Sequence, residues 1–302
     1  MSLTESQKAA RRQGVGASEL LAALGKDSRC SRLELFLRKI GDLPEPDIGD
    51  VPRVKWGSRL EATVRDAFAE TIGQKVIVPH QTLFHPDAPL VGHPDGWIPA
   101  LTEGVEIKCA DKYEAEEFGE PGSDQVPVRY LVQCAGYMAL TNADTWHLAV
   151  LIGGNDFRVY RIPRDPQIEA AVLAGVREFW PHVEQRRPPE PATPEDVKLL
   201  WPKSVGRVVI ATPEIEQLCG DLAGAKLALK EAELKEGSLK AELQKFMEDA
   251  AELVDSSGTK LATWRTNKPS TKYDVKRAVA DMPDLMKQYE YQQPGARPLL
   301  LK

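Results

Sequence analysis

Apolar positions recur with two different periods along this chain, and the alternation between them outlines its elements. Residues 18–24 and 32–40 have helical spacing, as do 58–72, where Leu60, Val64, Ala67 and Phe68 share one face. Short runs at 75–78, 90–98 and 104–109 predict strands. A helix is expected over 126–140, strands over 145–152 and 157–162, and a closing helix over 168–185. Helix, strands, helix, strands is the pattern of an α/β domain around one mixed sheet.

Beyond this region the pattern changes. Residues 186–203 read RRPPEPATPEDVKLLWPK, with five prolines that argue against a continuous helix and predict a linker, taken to run over 186–211. Thr212-Pro213 then predicts a helix start, with Thr as the capping side chain and Pro in the first turn. From Ile215 to Leu253, steps of three and four place apolar side chains at every heptad position except Glu236. Two readings stand for this helix: packing on its own domain, or an oligomer or partner contact. Gly220, Gly224 and Gly237 weaken it as an autonomous coiled coil. Residues 253–255 and 260–265, joined by Ser-Ser-Gly, predict a β-hairpin. The expected organisation is a domain over 1–185, the linker, and a helical and hairpin extension over 212–302.

Composition narrows the class. At 42% hydrophobic and 28% charged residues the chain is ordinary globular protein, not disordered or collagen-like. Its longest apolar run, Leu148 to Ile152, is far below the roughly 20 residues of a membrane span. The first residues, MSLTESQKAARRQ, lack the apolar core of a signal peptide, so a cytoplasmic protein without membrane partners is expected. Cys30, Cys109, Cys134 and Cys219 have neither zinc nor redox spacing and read as reduced thiols. The net charge of −6 argues against a nucleic-acid binder, but its distribution is uneven. Residues 1–60 hold 11 basic and 8 acidic side chains, whereas 61–190 hold 11 and 20.

Chemistry concentrates in VGHPDGWIPALTEGVEIKCA, residues 91–110. Asp95 follows a strand in a Pro-Asp-Gly turn, and Glu106 and Lys108 lie two apart, on one face of the next strand. Carboxylates from adjacent strands suit a hard cation such as magnesium. An ordinary hairpin with a Glu–Lys surface pair is the other reading of the same residues. Glu61, in WGSRLE, could supply a third carboxylate, and Gln133, in YLVQCAGYMAL, an amide; each taken singly also reads as a solvated helix residue. At the N-terminus, Gly14 and Gly16 would let backbone approach a ligand, Ser18 would open a helix that could bind phosphate, and Arg12 would add a charged contact. A glycine turn with a serine cap explains these residues equally. Trp56 and Trp97 flank the motifs and could stack on bases, with core packing the favoured reading for either.

Taken in order, R-x-G-V-G-A-S, W-G-x-x-L-E, H-P-D-G, E-I-K-C and L-V-Q-C resemble the YqaJ-type viral recombinase family, relatives of phage lambda-type exonucleases in the PD-(D/E)XK nuclease superfamily. The resemblance covers about residues 10–165; the heptad segment, KLATWRT and the final RPLLLK resemble extensions of some phage members more weakly. It implies a restriction-endonuclease-like core and metal-dependent hydrolysis of linear duplex DNA, 5′→3′ from a 5′-phosphorylated end. On the residues here it implies Asp95, Glu106, the Ile107 carbonyl and Glu61 as ligands of two magnesium ions, with manganese as a substitute. Lys108 would orient or activate the attacking water and offset developing charge, Gln133 would hold water or the scissile phosphate, and Arg12 and Ser18 would bind the 5′-phosphate. A single-strand annealing protein is the implied partner and a trimeric ring the implied assembly. The rival readings are a structure-specific or internal endonuclease on the same fold and a non-catalytic module that binds DNA ends.

Overall fold

The computed structural model describes residues 11–46, 48–293 and 295–301. Residues 1–10 of the polar N-terminus and Lys302 of the final RPLLLK lie outside them. The chain forms two compact units that divide between Trp201 and Pro202.

In the first unit, strand β1 (Val15–Gly16) leads through a 3-10 turn into helices α1 (Leu20–Ala23), α2 (Arg32–Ile40) and α3 (Pro52–Ile72). Strands β2 (Leu83–Phe84), β3 (Leu90–Gly92), β4 (Gly96–Ile98) and β5 (Glu103–Ala110) follow, then helix α4 (Val128–Thr141). Strands β6 (Thr145–Ile152) and β7 (Asp156–Pro163) and helices α5 (Pro166–Glu184) and α6 (Pro194–Leu200) complete the unit. The main sheet has the order β4-β5-β6-β7, with β5 and β6 parallel and both outer pairings antiparallel. Parallel neighbours need a crossover, and α4 provides it. The mixed sheet flanked by helices is the architecture expected of the restriction-endonuclease-like class.

Both faces of the sheet are covered. On one, Trp146, Leu148 and Val150 pack with Cys134 and Met138 of α4 and with Val176 and Phe179 of α5. On the other, Val105, Ile107 and Ala149 pack with Val64 and Phe68 of α3. Gly104 is required by close approach: a Cβ there would lie 2.2 Å from the Trp146 ring.

Several expectations change. The run 90–98 is not one strand. It breaks at Pro94, which has no N–H for a ladder, and β3 pairs with β1 and β2 in a separate small sheet while β4 joins the main one. Residues 75–78 contribute only a bridge between Ile77 and Trp97. The helix expected from residue 58 begins at Pro52, which fills its first turn. Trp97 packs on the core, but Trp56 is 57% exposed, with the Arg59 guanidinium 5.1 Å from its ring centre. The proline-rich segment is structured at its start: Thr193 caps α6, and buried Asp196 accepts from the N–H groups of Ala192 and Thr193 and from the Ser31 hydroxyl.

The second unit contains helix α7 (Pro213–Met247), a hairpin of β8 (Glu252–Val254) and β9 (Lys260–Thr263), and short helices α8 (Val275–Asp281) and α9 (Pro283–Lys287). Helix α7 starts where Thr212-Pro213 indicates, although the Thr212 side chain makes no capping bond to the backbone. It stops at Met247, so Ala250 and Leu253 of the heptad series fall beyond it. Leu218, Leu229, Leu239 and Phe246 are exposed. Among the described residues no helix is long and apolar enough to cross a membrane, and all four cysteines are free.

Candidate active site

The β4–β5 pairing sets the central geometry. Gly96 stands opposite Val105, so Asp95, just before β4, emerges beside the stretch of β5 that carries Glu106. Asp95 Oδ2 accepts the Ile107 N–H at 2.9 Å, which ties its carboxylate to the strand. Alternation along β5 sends Val105 and Ile107 into the α3 side of the core and Glu106 and Lys108 toward α4. There Glu106 Oε1 accepts from Lys108 Nζ and, at 2.6 Å, from Gln133 Nε2. Behind it Tyr137 Oη lies 3.5 Å from Gln133 and donates to the His93 carbonyl at 3.0 Å. Lys108 also stands 5.6 Å from the Tyr130 ring centre.

The electrostatics follow from burial and like charge. Burial, followed by the Glu106 charge, raises the Asp95 carboxyl well above the ordinary range, only partly countered by Lys108 and the Ile107 N–H. Burial alone would lower Lys108, but Glu106 and Asp95 more than offset it, and the ammonium is held more firmly than usual. Burial and then Glu106 raise the Tyr137 phenol, keeping it a donor. Glu106 Oε2 is buried and has no hydrogen-bond partner. A buried carboxylate oxygen without a donor, beside a second carboxyl penalised for its charge, is the chemistry a divalent cation relieves, and the oxygen donors suit a hard one. The residues therefore fit a metal.

Glu61 lines the same cleft from α3 but is not gathered onto the pair. Its Oε1 is 3.4 Å from Arg65 Nη1, and the same nitrogen donates to the Asp95 carbonyl at 3.0 Å. Among the described residues no three His, Cys, Asp or Glu side chains form a cation set. Arg65, buried between Val64 and Phe68, was not singled out from the sequence. Its only signal is its position four residues after Glu61, on the apolar side of the helix.

The other wall of the cleft, which encloses about 740 Å³, carries the N-terminal motif. Here the arginine differs from the expectation: Arg11 lines the cleft and donates from Nη2 to Ser18 Oγ at 3.0 Å, while Arg12 is exposed and does not line it. Neighbouring residues of a turn point in different directions, which spacing alone does not reveal. Ser18 lies inside the 3-10 turn, and the helix behind it has only four residues, so the donors here are a hydroxyl and a guanidinium, not a helix end. Gly14 makes room for the protein's own chain: a Cβ there would meet the Pro89 carbonyl oxygen at 2.8 Å. Glu19 fastens the turn, accepting from the Gly16 N–H and from Lys39 Nζ, both at 2.6 Å, while Lys39 also donates to the Arg11 carbonyl. Arg129 also lines the cleft, its guanidinium 4.6 Å from the Tyr130 ring centre.

The mixed sheet flanked by helices has the restriction-endonuclease-like, PD-(D/E)XK-type fold. Residues 8–144 match the family model of the YqaJ-like viral recombinase domain, in line with the order of motifs. The chain is 29% identical over 173 residues to YqaJ of Bacillus subtilis (strain 168), a protein described as uncharacterized; the match covers 56% of this chain and spans about half of that relative, 53% of its length. LHK-Exo in complex with dAMP has the same fold, with a TM-score of 0.51 at 24% identity, over 61% of this chain and 94% of that one. A second crystal structure of this protein, an alkaline exonuclease from Laribacter hongkongensis, matches at 0.49 and 24% over 61% and 96%.

Proposed function

We propose that this chain is a metal-dependent DNA exonuclease that hydrolyses phosphodiester bonds at the ends of linear duplex DNA, 5′→3′ from a 5′-phosphate, leaving a 3′ single strand. The observation that carries this reading is the convergence of Asp95, Glu106, Lys108 and Gln133 in one cleft with Arg11 and Ser18. Asp95, Glu106 and the Ile107 carbonyl would hold the cation, with Glu61 as a further carboxylate from the same cleft. Magnesium or manganese, as one or two ions, supplies Lewis-acid stabilisation of the phosphate and a more acidic water. Gln133 fixes the Glu106 carboxylate and is placed to hold water or a phosphate oxygen. Lys108 stays an ammonium, so it orients the nucleophile and offsets charge developing on phosphate; it does not take the proton. Arg11 and Ser18 together grip the terminal 5′-phosphate, a charge-assisted anchor that makes digestion depend on an end. An annealing protein that receives the single strand, and a ring of three copies around the duplex, belong to the same proposal.

Digestion of linear duplex with and without 5′-phosphate, in magnesium and in chelator, tests it. The expected result is magnesium-dependent release of nucleotides, faster from phosphorylated ends, with covalently closed circles intact. Cleavage of circles would make the chain an endonuclease, and unchanged digestion by Glu106→Ala would show that the site is wrongly assigned.

A further inference from the structure

The second unit has a strongly polarised charge distribution. Residues 213–255, which hold helix α7 and the first hairpin strand, carry 5 basic and 11 acidic side chains, whereas 259–277 carry 6 basic and 1 acidic. The cationic stretch starts on β9 and continues, without helix or strand, from Trp264 to Asp274. Its geometry at the start is fixed: Asp255 turns the hairpin by accepting from the Ser257 and Thr259 N–H groups, and the Trp264 N–H extends the ladder to the Ala251 carbonyl at 2.9 Å. Alternation then puts Lys260, Ala262 and Trp264 on one face.

The side chains of this stretch are available. Lys260 and Arg265 share Glu252, and Arg277 pairs with Asp281, but Lys268, Lys272 and Lys276 have no ion pair among the described residues. Trp264 is 44% exposed and Tyr273 86%. In the first unit the exposed rings of Trp56 and Tyr113 each have a cation over them, Arg59 and Lys112. Trp264 and Tyr273, like Tyr289 and Tyr291, carry none among the described residues, but only these two are interleaved with the lysines, and the chain between them reaches at most about 30 Å.

We propose that residues 260–277 bind single-stranded nucleic acid, with Lys268, Lys272 and Lys276 on phosphates and Trp264 and Tyr273 stacked on bases. Cations alone would suit any polyanion, including a duplex or an anionic lipid surface. Uncovered rings interleaved with the cations favour a strand whose bases are unpaired, because every base presents a face to stack on. The strand's source, the product of digestion, rests on the proposed exonuclease reading; the binding itself does not.

The test is binding of the full chain to a labelled oligothymidylate lacking a 5′-phosphate, in chelator, with linear-duplex digestion measured separately in magnesium. Tyr273→Ala and Trp264→Ala are each expected to weaken oligothymidylate binding about ten-fold. The Lys268→Gln, Lys272→Gln, Lys276→Gln triple variant should flatten the slope of log affinity against log salt by about 2. The rate of duplex digestion should be unchanged in all three. Unaltered affinity in these variants overturns the proposal. So does equal binding of a blunt duplex, or retention of Tyr273→Ala on anionic vesicles with no loss relative to the parent. If duplex is never digested but oligothymidylate binding responds as expected, the exonuclease reading fails and this surface stands.

Discussion

Asp95, immediately before β4, is tied to β5 beside Glu106 by the Ile107 N–H at 2.9 Å, and the carboxylate oxygen Glu106 Oε2 is buried with no donor among the described residues. Like charges held close together on neighbouring strands are destabilising, so without a cation this pair works against folding. The Asp95 carboxyl is raised by burial and then by Glu106. A folded-state pKa above the unfolded value makes the group a cost that grows as pH rises through that window. Asp95→Asn keeps an acceptor for the Ile107 N–H and removes one charge. In chelator it should be more stable than the parent by on the order of 1 kcal/mol, and the gap should widen from pH 5 to pH 8 in thermal melts. The same variant should lose magnesium-dependent digestion. A destabilised Asp95→Asn at pH 8 would show that the carboxylates do not strain the fold.

The turn that presents Ser18 depends on a second buried charge. Burial alone would raise Glu19, but the Lys39 and Arg11 charges and the Gly16 N–H outweigh it, and the carboxyl titrates below its ordinary 4.5. A depressed folded-state value means the stabilisation is complete above 4.5 and is lost as pH falls through the folded value. Lys39→Met leaves Glu19 buried without its ammonium and should cost about 3–5 kcal/mol at neutral pH. The melting temperatures of variant and parent should approach each other as acid protonates Glu19. A difference that stays constant with pH would mean that Lys39 acts through packing alone.

What could be read from the chain follows how strongly each element was constrained. Strand 145–152 has the expected bounds because both its faces are buried, which leaves a continuous apolar run. Asp95, Glu106 and Lys108 were legible because a period of two fixes a strand face once a turn is placed. The partner of Ser18 was not, because Arg11 and Arg12 differ only in the phase of a turn. The split of 90–98 into two sheets was also hidden: Pro94 signals a break but not which sheet each half joins. Arg65 was obscured because the contact that brings it to the site, the Asp95 carbonyl, lies 30 residues away in sequence.

Gly104 offers a direct check on the packing under the site. It lies two residues before Glu106 and opposite Trp146, a fully buried ring stacked on Tyr137 at 5.1 Å. A Cβ would stand 2.2 Å from that ring. Gly104→Ala should cost about 1–3 kcal/mol through overpacking, or about 2–4 °C for each kcal/mol in a unit of this size. Because Tyr137 and Gln133 follow the ring, digestion should also fall at temperatures where the variant is still folded. Unchanged melting would mean that the Trp146 ring has room to move.

The last prediction separates two adjacent arginines. Arg11 Nη2 is on Ser18 Oγ at the cleft wall, and Arg12 is exposed away from it. A guanidinium bound to a phosphate contributes roughly 1.5–3 kcal/mol, so Arg11→Ala should lower the rate on 5′-phosphorylated ends about ten-fold or more while hardly changing the rate on 5′-hydroxyl ends. Arg11→Lys should restore charge but not the forked geometry, and recover only part of the preference. Arg12→Ala should leave the ratio of the two rates as it is. Should Arg12→Ala abolish the preference and Arg11→Ala spare it, the anchor lies on the exposed side of the turn and the cleft wall does not hold the DNA end.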